Sequence, residues 1–127
     1  AKIFYDKAVS QDVLLDYTSS ADFGISLIED SCLSYRYCLP NKIFEYVMAE
    51  IPVIASNLFE MKRLVEKNKI GIVARENTVA GLQEAIQKAV KLEEKDLLVN
   101  LKKVKKVYNW EEQEKKLLNF YSKLLHE

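Results

Sequence analysis

The chain has 127 residues, 49 per cent of them hydrophobic and 30 per cent charged, a size and balance suited to one domain that buries its core without disulfide or metal. Nineteen basic residues balance nineteen acidic ones, which argues against duplex DNA or an anionic membrane as a main partner. The longest apolar runs hold only a few residues, far short of the roughly 20 that cross a bilayer, and no signal peptide is visible.

The first residues, "AKIFY", read as a short apolar and aromatic strand with no initiator Met, the beginning expected of a fragment. Ser10 is placed to cap a helix with Val13, Leu14 and Tyr17 on one side. "FGISLI" is a continuous apolar run, expected as a strand buried on both faces. Residues 29–39 read as a polar loop, and a helix follows from about Asn41 to Ala49. "PVIAS" is a second buried strand, and Ser56 or Asn57 is placed to cap a helix that carries Leu58, Met61, Leu64 and Val65. "GIVA" is a third strand, and Thr78 is placed to cap "VAGLQEAIQKAVKL". Tail helices are expected over about 94–108 and 110–125, the last with Trp110, Leu117, Tyr121 and Leu124 on one face as a packing stripe.

Strands alternating with helices imply crossover connections, hence an α/β fold with a mainly parallel, Rossmann-like sheet flanked by helices and extra helices at the C-terminal end. Three glycines are too few for a glycine-rich phosphate loop. The basic run in "KLEEKDLLVNLKKVKKVYN" is flanked by acids and reads as a solvated helix face, so no nucleic-acid partner is expected. Cys32 and Cys38, with His126 far away, do not form a zinc pattern; reduced thiols are expected, with a local disulfide as the alternative.

The segment "CLPNKIFEYVMAEIPVIAS" draws most interest. Ile43, Phe44, Val47 and Met48 share one face of its helix, the expected core face, while Lys42, Glu45 and Ala49 lie opposite. A helix that follows a parallel strand begins at the carboxyl edge of the sheet, where ligands bind. Its free N–H groups and dipole favour an anion. Pro40 suits the first turn, Lys42 adds a positive charge, and Glu45 is placed to accept hydrogen bonds from two vicinal hydroxyls. An ordinary helix start with a solvated Lys42–Glu45 pair accounts for the same residues.

The run from Ala21 to Val73 resembles the C-terminal, nucleotide-binding half of GT-B fold glycosyltransferases of the retaining group. It carries "AD" before a strand, then "PNKIFE", "PVIAS" and "GIV" in that family's order, and "YNWEEQEKKLLNFYSKLL" is similar to its terminal helix. The resemblance implies donor binding by Leu39, Pro40, Asn41, Lys42 and Glu45. Glu45 would hold the ribose hydroxyls, Leu39 to Lys42 would meet the diphosphate, and the loop Glu29 to Tyr37 would approach the sugar. It implies a nucleotide-diphosphate sugar as substrate, no cofactor and no metal. It leaves the catalytic residues unassigned. Cytoplasmic location is implied, for the parent enzyme at the inner face of a membrane, in polysaccharide biosynthesis.

Two positions depart from the family. Tyr37 stands where many relatives carry a second glutamate, and Glu50 stands where they carry Gly at the helix exit. The resemblance also makes residues 1–127 one partial donor-binding domain. An N-terminal domain would be missing, along with two strands that precede "KIFY" in the chain and lie between the "KIFY" and "FGISLI" strands in the order of the sheet. The isolated chain is expected to be inactive and prone to self-association. The alternatives are a sugar-nucleotide epimerase of the same fold and a small α/β regulatory module, the latter with Glu29 and Asp30 at a strand end.

Overall fold

The computed structural model describes residues 2–125. In chain order it contains α1 (Gln11–Ser19), β1 (Gly24–Ser26), α2 (Leu33–Arg36), α3 (Asn41–Met48), β2 (Val53–Ala55), α4 (Phe59–Asn68) and β3 (Gly71–Val73). Three helices follow: α5 (Val79–Ala89), α6 (Glu94–Val107) and α7 (Trp110–Leu125). The strands are parallel and ordered β1-β2-β3, with Val53 paired to Gly24 on one side and Gly71 on the other. The fold is α/β, a three-stranded parallel sheet flanked by helices.

Alternation along β2 divides the core into two layers. Val53 and Ala55 face a cluster with Ile43 and Val47 of α3, Met61 and Val65 of α4, and Leu101 and Val104 of α6. Ile54 faces the other side, against Ala85 and Ala89 of α5. The spacing makes these helices what they are: Ile43 and Val47 are four apart, and Leu97, Leu101 and Val104 repeat at four and three. A fully buried aliphatic side chain of this kind stabilises by about 1.5–3 kcal/mol. Gly24 permits a close approach on β1, since a Cβ there would lie 2.3 Å from the Tyr46 ring. That ring lies over the strand, and its hydroxyl donates to the Ile25 carbonyl at 3.1 Å.

Most expected elements are present, and the Thr78 hydroxyl does cap α5 by accepting from the Gly81 N–H at 3.1 Å. Several expectations are overturned. Ser10 precedes α1, but its side chain makes no capping bond. "KIFY" forms no strand: residues 2–10 have neither helix nor strand, and Ile3, Phe4 and Tyr5 are 77, 80 and 93 per cent exposed. A strand of that length exists only when a neighbour takes its N–H and C=O groups, and the three strands pair only with one another. "FGISLI" is not buried on both faces. Ile25 lies in the row of Ile54 and Ile72 but is 43 per cent exposed, because α5 packs over β2 and β3 and leaves β1 open. The stripe of Trp110, Leu117, Tyr121 and Leu124 is exposed rather than packed, since no residue of α7 is buried among the described elements. The loop at 29–39 is interrupted by α2. His126 lies outside the described residues.

The ends of α3 and α4 share one geometry. Each closes as a Schellman turn: Ile51 N–H donates to Tyr46 and Glu50 N–H to Val47, and likewise Ile70 to Val65 and Lys69 to Glu66. The turn residue is left-handed in both, with φ of 60° at Glu50 and 51° at Lys69. A side chain there costs roughly 1–2 kcal/mol of strain that Gly avoids, though Gly gives part of this back in the extra chain freedom it loses on folding. Helix α6 lies across both turns. Its Lys105 Nζ donates to Glu50 Oε1 at 2.8 Å, Lys102 stands 3.9 Å from Oε2, and the Asn100 amide donates to the Lys69 carbonyl at 3.3 Å. Hydrogen bonding from Lys105 holds the Glu50 carboxyl below its ordinary pKa. The strained side chain is therefore used at Glu50 and idle at Lys69, which is exposed.

Lys69→Gly is expected to raise stability by about 0.5–1 kcal/mol in urea melts, relieving the left-handed residue. Glu50→Gly should gain far less, because it also removes the ion pair with α6. A depressed carboxyl stabilises the fold above its unfolded value and loses that contribution as pH falls through the folded one. The cost of Glu50→Gln should therefore be present at pH 7 and fade below about pH 4. Equal gains from the two glycine variants at pH 7 would contradict this account.

Candidate functional site

The carboxyl ends of the three strands lie at Ser26, Ala55 and Val73, and α3, α4 and α5 each begin after one of the turns at that edge. The start of α3 is uncapped. Pro40 is the residue before its first turn, with φ −71° and ψ 144°, and it supplies no side-chain cap. Ile43 N–H turns back to the Pro40 carbonyl at 3.1 Å, while the N–H groups of Asn41 and Lys42 have no acceptor among the described residues. Two donors and the positive end of the helix dipole are thus free.

The side chains of this segment separate by face. Ile43 and Val47 are buried, and Phe44 and Met48 pack partly against the same cluster. Leu39 also packs there, so only its backbone is available to a ligand. Asn41 and Lys42 are exposed, and Glu45 is half-buried. Lys42 and Glu45 form no ion pair among the described residues. Asn41 and Glu45 line a cleft of about 640 Å³ together with Phe44, Tyr108 and Trp110. The structure therefore places at one cleft the start of α3 and a carboxylate that has no partner among the described residues, while the exposed Lys42 is not part of the cleft lining. A larger cleft of about 780 Å³ beside Phe23, Glu50 and Pro52 lies at the amino edge of the sheet, away from the strand ends where α/β domains hold ligands.

The connection before α3 is ordered by its own contacts. Asp30 accepts from Arg36 Nε at 3.0 and 3.2 Å, an exposed pair of little energetic weight. Tyr37 offers no carboxylate and sets its ring edge-on against Phe59 at 5.6 Å, at the first residue of α4. Cys32 and Cys38 are free thiols, one exposed and one half-buried.

Three polar residues at this edge escaped the sequence reading. Neither Ser56 nor Asn57 caps α4, whose start has no side-chain cap. The buried Ser56 hydroxyl instead accepts from Ile28 N–H at 2.7 Å, and the Asn57 amide donates to the Arg75 carbonyl at 3.3 Å. Asn77 donates to the Ile28 carbonyl at 2.5 Å. Their only sequence signal is that Ser and Asn before a helix satisfy nearby backbone groups, and the nearest such group is the helix itself. Among the described residues no cluster of three His, Cys, Asp or Glu side chains is placed to hold a metal ion, and no helix is long and apolar enough to cross a membrane.

A parallel sheet with crossover helices puts the chain among α/β domains, a class whose ligands lie at the carboxyl ends of strands. Residues 1–123 match the family described as glucosyltransferase 3-like, C-terminal domain, and the chain belongs to that family: it is a glycosyltransferase C-terminal domain. No curated protein and no solved structure matches it.

Proposed function

We propose that the chain binds the nucleoside diphosphate of a sugar donor at the start of α3, as the donor half of a GT-B type enzyme. The parent enzyme then moves the sugar to an acceptor. The observation that carries this reading is the pairing, one helical turn apart, of free Asn41 and Lys42 N–H groups with the partnerless Glu45 carboxylate. Diphosphate oxygens suit the N–H groups and the Lys42 ammonium. Ribose hydroxyls suit Glu45, which can accept two hydrogen bonds at once. The family description names a glucosyl group, and glucose is the sugar we assign.

Transfer breaks the bond from the sugar's anomeric carbon to the diphosphate oxygen, and the electron pair leaves with the diphosphate. Negative charge grows on that oxygen as the bond stretches. A fixed helix end and a nearby ammonium stabilise it without reorganising, the electrostatic term that dominates many transfers. With Tyr37 in place of a glutamate, contact to the sugar falls to other groups of the 29–39 segment.

The open side of β1 is where we infer that the parent sheet continues. Ile25 and Leu27, each 43 per cent exposed, form an apolar edge beside unpaired backbone.

Glu45→Gln should weaken binding of the matching nucleoside diphosphate, among UDP, ADP and GDP, by about tenfold in calorimetric titration, with the melting temperature unchanged. A fallen melting temperature with unchanged affinity would assign Glu45 to the fold alone. For the open edge, light scattering over a concentration series should show self-association of the isolated chain; a strictly monomeric chain would count against the inferred continuation.

A further inference from the structure

The segment from Glu29 to Tyr37 leaves β1 at its carboxyl end and returns to the start of α3, so its course is set by the residue where it departs. That residue is Ile28. Its peptide groups are taken by two side chains from different turns. Ile28 N–H donates to the Ser56 hydroxyl at 2.7 Å, just after β2, and the Ile28 carbonyl accepts from the Asn77 amide at 2.5 Å, after β3. Ser56 is itself fixed: it is fully buried, and its N–H donates to the Ser26 carbonyl at 3.1 Å. Asn77 reaches across the end of the central strand from 49 positions further along the chain. The bond from Ser56 N–H to the Ser26 carbonyl is the last backbone bond between these two strands, so the two side chains replace the next rung of the ladder.

An acceptor on one side and a donor on the other hold the Ile28 peptide in one orientation, which no single contact would do. The far end of the segment is held by Tyr37 on Phe59. Between the two anchors the segment runs from the end of β1 to the start of α3, and its last residue meets the first residue of α4.

We propose that Ser56 and Asn77 are positioning residues for the sugar end of the donor: they fix Ile28 and so hold the 29–39 segment over the start of α3. This rests on the donor reading above. Neither residue touches the proposed diphosphate contacts, so the nucleoside diphosphate should be indifferent to them and the sugar should not.

Asn77→Asp tests this most sharply, because it keeps the shape and turns a donor toward a carbonyl into a repelling carboxylate. Asn77→Ala and Ser56→Ala remove one bond each. Circular dichroism first establishes that each variant is folded; the exposed Asn77 makes its two variants usable should buried Ser56→Ala fail. Affinities of the chain are then measured for UDP, ADP and GDP and for their glucose esters. The wild type is expected to bind one diphosphate and its glucose ester. The Asn77 variants should hold the diphosphate within twofold and lose about tenfold for the glucose ester, with faster amide exchange at residues 29–39. An equal fall for both ligands, or no change in the glucose ester, overturns the positioning role and leaves the donor site standing. A wild type that binds none of the six ligands overturns the donor reading and the positioning role together.

Discussion

Everything in this fold is referred to the three residues of β2. Val53, Ile54 and Ala55 are the only strand residues that are all buried, and their backbone is paired on both sides. Val53 and Ala55 gather α3, α4 and α6 on one face, and Ile54 gathers α5 on the other. A strand this short has no redundancy: each side chain serves one layer. The next residue, Ser56, carries the order one step past the sheet, because its hydroxyl takes the Ile28 N–H where backbone pairing has ended. The central strand thereby orients the helix starts and anchors the residue where the 29–39 segment departs.

Helix α6 has the complementary role at the other edge. It follows the sheet in sequence, yet Leu101 and Val104 sit in the cluster shared by α3 and α4. Its polar residues Asn100, Lys102 and Lys105 meet the two left-handed turns where those helices end. The amino edge of the sheet thus carries contacts that hold the helix ends beside the larger cleft, and at the carboxyl edge the α3 donors and the Glu45 carboxylate have no partner among the described residues. Separating the two tasks in space lets residues around the α3 start vary without endangering the core.

Periodicity made much of this legible. The apolar runs of β1, β2 and β3 and the stripes of α4 and α6 depend on spacing that survives whatever surrounds them. Thr78 was legible as a cap because no other backbone group competes for its hydroxyl. Ser56 was not, because its hydroxyl meets a peptide 28 positions earlier in the chain, and sequence distance hides such partners. "KIFY" and the face of α7 fail for a related reason. Apolar composition announces a wish to be covered, but the covering element is a tertiary fact, and the described elements provide none for Phe4 or Trp110. Glu50 stands where a left-handed turn favours Gly, yet the turn keeps its geometry, and the side chain that strains it finds two lysines.

The balance of charge bears on how the proposed site would work. With 19 basic and 19 acidic residues the chain has no net field to draw an anion from a distance. Attraction has to arise within the Debye length of about 8 Å at physiological salt. Two free N–H groups and one ammonium at the start of α3 suit that range, since the effect of a helix end fades within its first turn. Glu45, on the same turn, opposes a bare anion while favouring a ligand that presents hydroxyl groups. A site of this composition would discriminate against inorganic phosphate and in favour of a phosphate ester that brings vicinal hydroxyls with it. The carboxylate thus supplies selectivity at some expense in affinity, and the weakness of an isolated helix start as an anion site becomes part of the recognition.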